Sequence, residues 1–160
     1  VSFHRSSVSA ALLLAGAGLL TACAGVSGVT GGPRTLPGGG ADATGLTGTW
    51  RGGFHCAEGY GDARLTLELT GNRRGRLEGE LGFEVIDPEA PLPPGRLRVA
   101  GAYGAEGDLR LGGTEWISRP GGLAMPGLEG RVGADGDHLS GQVPACGPGS
   151  AFYLERLAPE

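Results

Sequence analysis

The chain has 160 residues, 34 of them glycine and 11 proline, with no Gly-X-Y period; collagen is excluded, and long helices are disfavoured because an interior glycine costs about 1 kcal/mol relative to alanine. All 13 basic residues are arginine, against 17 Asp and Glu, for a net charge of −4, and no basic patch of the kind that binds nucleic acid stands out.

Residues 1–9 carry His4 and Arg5 and no acid, and Ala10–Leu20 is an unbroken run of 11 apolar or small residues. That run is too short to cross a bilayer, which takes about 20 residues. A short positive region, a short apolar core and small residues before a cleavage point read as an export signal. Leu20-Thr21-Ala22-Cys23 resembles the lipobox of bacterial lipoproteins. The resemblance implies that residues 1–22 are a signal peptide that is removed. It makes Cys23 the lipid attachment site, with a diacylglycerol on its sulfur and commonly a third acyl chain on the new N-terminus. Each buried methylene adds about 0.8 kcal/mol, so two or three chains anchor firmly where one would not. The alternative is an ordinary signal peptide cut near Ala22. The next residue is Ala24 rather than Asp. By resemblance to a lipoprotein sorting rule, this implies the outer membrane, with the domain facing the periplasm; the inner membrane and the cell surface are the alternatives. Removing residues 1–22 leaves 138 residues with 12 basic and 17 acidic groups, a net −5. That length suits one domain with one modest core.

Residues 23–45 read as the lipidated cysteine and a tether. Ala24–Thr44 holds two prolines, one acid, one base and no aromatic residue, a composition that cannot bury enough surface to fold. Its Gly-Gly-Gly run reads as a spacer, because no apolar strand precedes it and no Lys-Ser/Thr helix follows, as a phosphate loop requires.

Residues 46–158 read as the folded domain. Leu77, Gly79, Leu81, Phe83 and Val85 alternate with Arg76, Glu78, Glu80 and Glu84, the period-two pattern of a half-buried strand. The pattern recurs to give eight strands at about 48–57, 63–70, 75–85, 95–103, 107–117, 123–132, 137–143 and 150–157. Short Gly/Asn/Asp-rich links such as Thr70–Gly75, Gly104–Asp108 and Gly133–Asp137 suit hairpins. The expected fold is all-β: an eight-stranded antiparallel up-and-down barrel, with a β-sandwich as the alternative. Gly79, Gly130 and Gly141 fall on inward faces, where they relieve crowding.

Gly48-Thr49-Trp50 opens the first strand and resembles the G-x-W start of the calycins, the lipocalin and avidin superfamily of antiparallel barrels. The resemblance implies that a basic residue on the last strand packs over this tryptophan. Arg156, in Phe152–Leu157, is placed for that barrel-closing role with Trp50. Avidin's ligand-binding residues have no counterparts here. Small lipid-anchored barrels that inhibit lysozymes or proteases share the overall plan, but their inhibitory motifs do not appear.

With Cys23 assigned to lipid, Cys56 and Cys146 remain. An even pair in an oxidising compartment implies a disulfide. A His55/Cys56 nucleophile pair is disfavoured, because adjacent strand residues point to opposite faces. His55 and His138 lack the companions of a zinc site, so no metal and no cofactor is expected. Glu78, Glu80 and Glu84 read as a solvated face. Trp116, Arg119 and Met125 form a candidate binding patch at a barrel mouth; the competing reading has Trp116 and Met125 plugging the barrel end. No convergent acid–base or nucleophile set appears, so an enzyme is not expected. The expected function is that of a noncatalytic binding module for a protein or small-molecule partner, an inhibitor-like module being one form of it. The alternative is a structural or accessory envelope lipoprotein without its own ligand.

Overall fold

A computed structural model describes residues 40–59, 61–86 and 93–158. They form eight strands: β1 (Gly48–Cys56), β2 (Gly61–Gly71), β3 (Arg76–Val85), β4 (Gly95–Tyr103), β5 (Asp108–Ser118), β6 (Leu128–Val132), β7 (His138–Gln142) and β8 (Ala151–Arg156). Each pairs antiparallel with its sequence neighbour, and β8 pairs with β1 to close an up-and-down barrel. The sandwich alternative is therefore set aside. Two 3₁₀ turns, Thr44–Leu46 and Pro144–Cys146, precede β1 and β8.

Alternation decides what the barrel buries. Ala63, Leu65, Leu67 and Leu69 of β2 are buried, while Arg64 and Glu68 between them are exposed. Closure removes the free edges that a meander would otherwise present. The strands tilt, so directly opposed residues climb around the wall. One such row runs from Arg156 to Trp50, Leu67, Leu81, Leu97 and Trp116. It starts at the end of the barrel where β1 begins, called here the closed end. It finishes near the opposite, open end, where β5 stops.

Two inward glycines face each other, Gly130 on β6 and Gly141 on β7. A β-carbon on Gly130 would strike the Ser140 carbonyl, and one on Gly141 the Glu129 carbonyl. The absent side chains let the two strands bend across each other, a common way to curve a small barrel.

The sixth strand departs from the sequence reading: it begins at Leu128, not near residue 123. Gly121 has φ +63° and Pro126 lacks an N–H, so 119–127 crosses the open end as a loop without ladder bonds. A second departure lies in β5. Continuing the alternation of Leu109 and Leu111 would turn Glu115 inward. The β4–β5 register shifts at Arg98/Val99 and again at Arg96/Leu97, placing Trp116 opposite Leu97. The first shift, between Gly113 and Glu115 on β5, re-aims the strand so that the indole, not the carboxylate, packs against the core, and the second follows Trp116.

Candidate functional site

The closed end is held by Trp50 and Arg156. Trp50 is fully buried, and its indole Nε1–H donates to the Leu46 carbonyl at 3.1 Å. The Arg156 guanidinium lies 4.2 Å from the Trp50 ring centroid. Its Nη1 donates to Thr47 O at 3.1 Å, its Nη2 to Gly45 O at 2.6 Å and Gly136 O at 3.0 Å, and its Nε lies 3.3 Å from Asp137 Oδ1. Stacking leaves the rim of the guanidinium free to donate in its own plane, so one side chain ties β8, the β6–β7 turn and the 3₁₀ turn together. With its donors committed to carbonyls and a carboxylate, this cation is structural.

The open end carries the cystine. Cys56 ends β1, Cys146 precedes β8, and their sulfurs are 2.11 Å apart. The backbone around them is satisfied: Glu58 N–H donates to Cys146 O at 2.9 Å, and buried Ser150 Oγ donates to the same carbonyl at 2.6 Å. The Cys56 sulfur is inward and bonded. His55 points outward, with Nδ1 2.8 Å from Asp62 Oδ1, so the two do not meet as nucleophile and base.

Trp116, Arg119 and Met125 take unequal parts. Trp116 and Met125 are half-buried and pack against the core. Phe54, Phe83 and Trp116 make an edge-to-face series, with centroids 6.0 and 6.3 Å apart. Met125 fills the space over Gly113, where a β-carbon would collide with Met125 and Leu97. Arg119 turns to its own loop: Nε and Nη2 donate to Leu123 O at 3.3 and 3.0 Å. The first two thus stopper the open end, and the arginine braces the loop above them. Exposed apolar groups lie nearby at the strand ends, Ile86 after β3 and Ile117 in β5, at 49% and 46% exposure.

Below this stopper the barrel is filled. Trp50, Leu67, Leu97, Leu139 and Leu154 are fully buried, and Leu65, Leu77, Leu81, Leu109 and Leu128 are 1% exposed. A chamber for a small ligand, typically several hundred Å³, would leave its lining side chains open to it. These have no such surface.

His138 has neighbours that its sequence context hid. Its Nδ1 is 2.6 Å from Asp135 Oδ2, its Nε2 is 3.9 Å from Glu155 Oε1, and its ring lies 5.5 Å from that of Tyr153. The Asp137 N–H and then His138 hold the Asp135 carboxyl below its usual pKa. The Asp135–His138 spacing was a readable signal; the partners on β8 come only from the β7–β8 register. The cluster is exposed on the barrel wall. Among the described residues no group of three or more His, Cys, Asp or Glu side chains is arranged to hold a metal. Residues 1–22, read as the signal peptide, Cys23 and the tether as far as residue 39 lie outside the described residues. Residues 40–45, read as the end of the tether, instead pack on the barrel, with Ala43 fully buried and its N–H donating to Asn72 O at 3.0 Å.

Comparison with models of protein families, with curated proteins and with solved structures finds no match for this chain.

Proposed function

We propose that this chain is a lipid-anchored envelope lipoprotein, attached through Cys23, whose calycin-like barrel is a noncatalytic module that binds a protein partner with its outer surface. The filled interior carries this reading. A barrel with no chamber has only its exterior to offer, and the exposed Ile86 and Ile117 at the open end give a contact surface the apolar character that protein interfaces use. The inhibitor-like form of the reading has the open end seated on an envelope-directed hydrolase. Export to an oxidising compartment accords with the Cys56–Cys146 pair.

Two measurements test this. Replacing Cys23 with Ser moves the domain to the soluble fraction with its fold retained; a variant that stays in the membrane after signal cleavage sinks the lipid anchor. Crosslinking in intact envelopes, followed by mass spectrometry, yields a partner joined near Ile86 or Ile117, and Ile117→Glu reduces that product at least tenfold. Equal yields from both proteins would move the partner away from the open end. No reproducible product from the unaltered protein would favour an accessory role without a ligand.

A further inference from the structure

The Gly71–Arg76 hairpin places three arginines where the chain comes into the barrel. Asn72 organises the turn: its Oδ1 accepts from Arg74 N–H at 2.9 Å and Arg76 N–H at 3.1 Å, and its carbonyl accepts from Gly75 N–H at 3.0 Å. Gly75 has φ +75°, and a β-carbon there would strike Tyr103 O and Gly40. The turn is therefore fixed, and Arg73, Arg74 and Arg76 are exposed on it. None of the three makes an ion pair among the described residues.

The incoming chain runs against this turn. Ala41 N–H donates to Tyr103 O at 3.1 Å and Ala43 N–H to Asn72 O at 3.0 Å, while Gly40 is packed against the Arg74 carbonyl. The other charges at the closed end differ. Asp108 is bonded to Arg131 at 3.0 Å, Asp135 to His138 at 2.6 Å, and Asp137 lies 3.3 Å from Arg156. Asp42 keeps its negative charge at this corner: the neutral Thr44 hydroxyl donates to it at 2.7 Å, and the Thr44 hydrogen bonds, with the charge of Arg73, hold its carboxyl below the usual carboxylate range. Glu106, on the β4–β5 turn, is exposed and makes no ion pair among the described residues. The corner where the chain comes in thus carries three arginines against the single carboxylate of Asp42, a net positive charge, while Glu106 stands on the neighbouring β4–β5 turn.

We infer that this corner is a membrane-facing contact, in which Arg73, Arg74 and Arg76 engage the phosphates of anionic lipid headgroups and direct the open end away from the bilayer. The inference rests on the lipid-anchor reading of Cys23. Seventeen residues from Cys23 to Gly40 span at most about 60 Å, so the anchor confines this corner near the headgroups, where weak contacts suffice. Guanidinium groups bind phosphate oxygens in bidentate pairs. An arginine near an anionic surface gains about fivefold in partition, so three arginines opposed by one carboxylate give about a twenty-five-fold preference for corner-down orientations. The mature chain carries net −5 with these three arginines and −8 without them, and an anionic surface repels the rest of the barrel. Charge thus sets orientation more than affinity.

The test uses the full lipidated protein on phosphatidylcholine vesicles with or without 30% phosphatidylglycerol, where part of the lipid carries a nitroxide headgroup. Paramagnetic broadening of amide signals reports nearness to the surface. With anionic lipid, amides 72–76 are broadened several-fold more than amides 117–119. The difference disappears in 0.5 M salt (Debye length about 4 Å) and in R73Q/R74Q/R76Q, whose unchanged remaining spectrum shows the fold intact. Protein that floats with the vesicles but shows equal broadening at both ends, or the same profile in the triple variant, overturns the inference and leaves the anchor standing. Protein that does not float with either vesicle overturns the anchor and the inference with it.

Discussion

Replacing Trp50 with Ala lowers the stability of the barrel by about 4–5 kcal/mol, read as the shift in a urea unfolding midpoint at unchanged slope. Truncating a buried aromatic costs about 3–5 kcal/mol through lost transfer energy and the cavity left behind. Here two further losses follow. The Leu46 carbonyl loses its 3.1 Å donor, and the Arg156 guanidinium loses the ring it covers at 4.2 Å, a contact worth about 0.5–2 kcal/mol. A domain of this size holds about 5–15 kcal/mol in total, so the variant stands near the edge of folding. Trp50→Phe separates the contributions: it keeps most of the packing, loses the indole hydrogen bond, and costs about 1–2 kcal/mol. A loss below about 2 kcal/mol for Trp50→Ala would mean that the closed end is not where the barrel is held.

Removing the cystine with the pair Cys56→Ser and Cys146→Ser costs about 4–5 kcal/mol. The two residues are 90 apart in sequence. In the chain-entropy description, opening a loop of that length returns about 4.6 kcal/mol of freedom to the unfolded state. Inward-facing serines add the cost of two buried hydroxyls without assigned partners. The measurement is unfolding by urea with and without reductant. Reductant should bring the unaltered protein close to the double variant and leave the variant itself unmoved. Insensitivity of the unaltered protein to a reductant shown to open the bond would sink this account.

Strand number, order and closure were legible because inward residues such as Leu65, Leu67 and Leu81 recur with period two and the links are too short for crossovers. The position of Arg156 over Trp50 follows from closure, since the β1–β8 register sets them directly opposite. Trp116 was read as a mouth residue, but how it turns inward was not legible. A bulge inserts one residue and inverts the parity that follows until the next shift, and Thr114-Glu115 carries no mark of that inversion. The start of β6 was obscured for a related reason: Leu123 and Met125 alternate like a strand yet belong to a loop that packs apolar groups on the core. Arg73 and Arg74 were read only as part of a turn signal, and Arg76 only as an outward residue of the third strand. Their significance depends on the incoming chain lying beside them, which is a fact of three dimensions.

The pairing of β1 with β8 also sets when this protein can fold. Arg156 bonds to carbonyls at positions 45 and 47, over 100 residues back along the chain. Contacts between such distant segments slow folding, since loop closure precedes any reward. No partial chain emerging N-terminus first can close the ring, because the strand that seals it comes last. Until residues 151–156 arrive, β1 has one open flank and Trp50 lacks its cover. Such a topology leaves the ring open until β8 is available to pair with both β7 and β1, so closure is the final event in building the barrel.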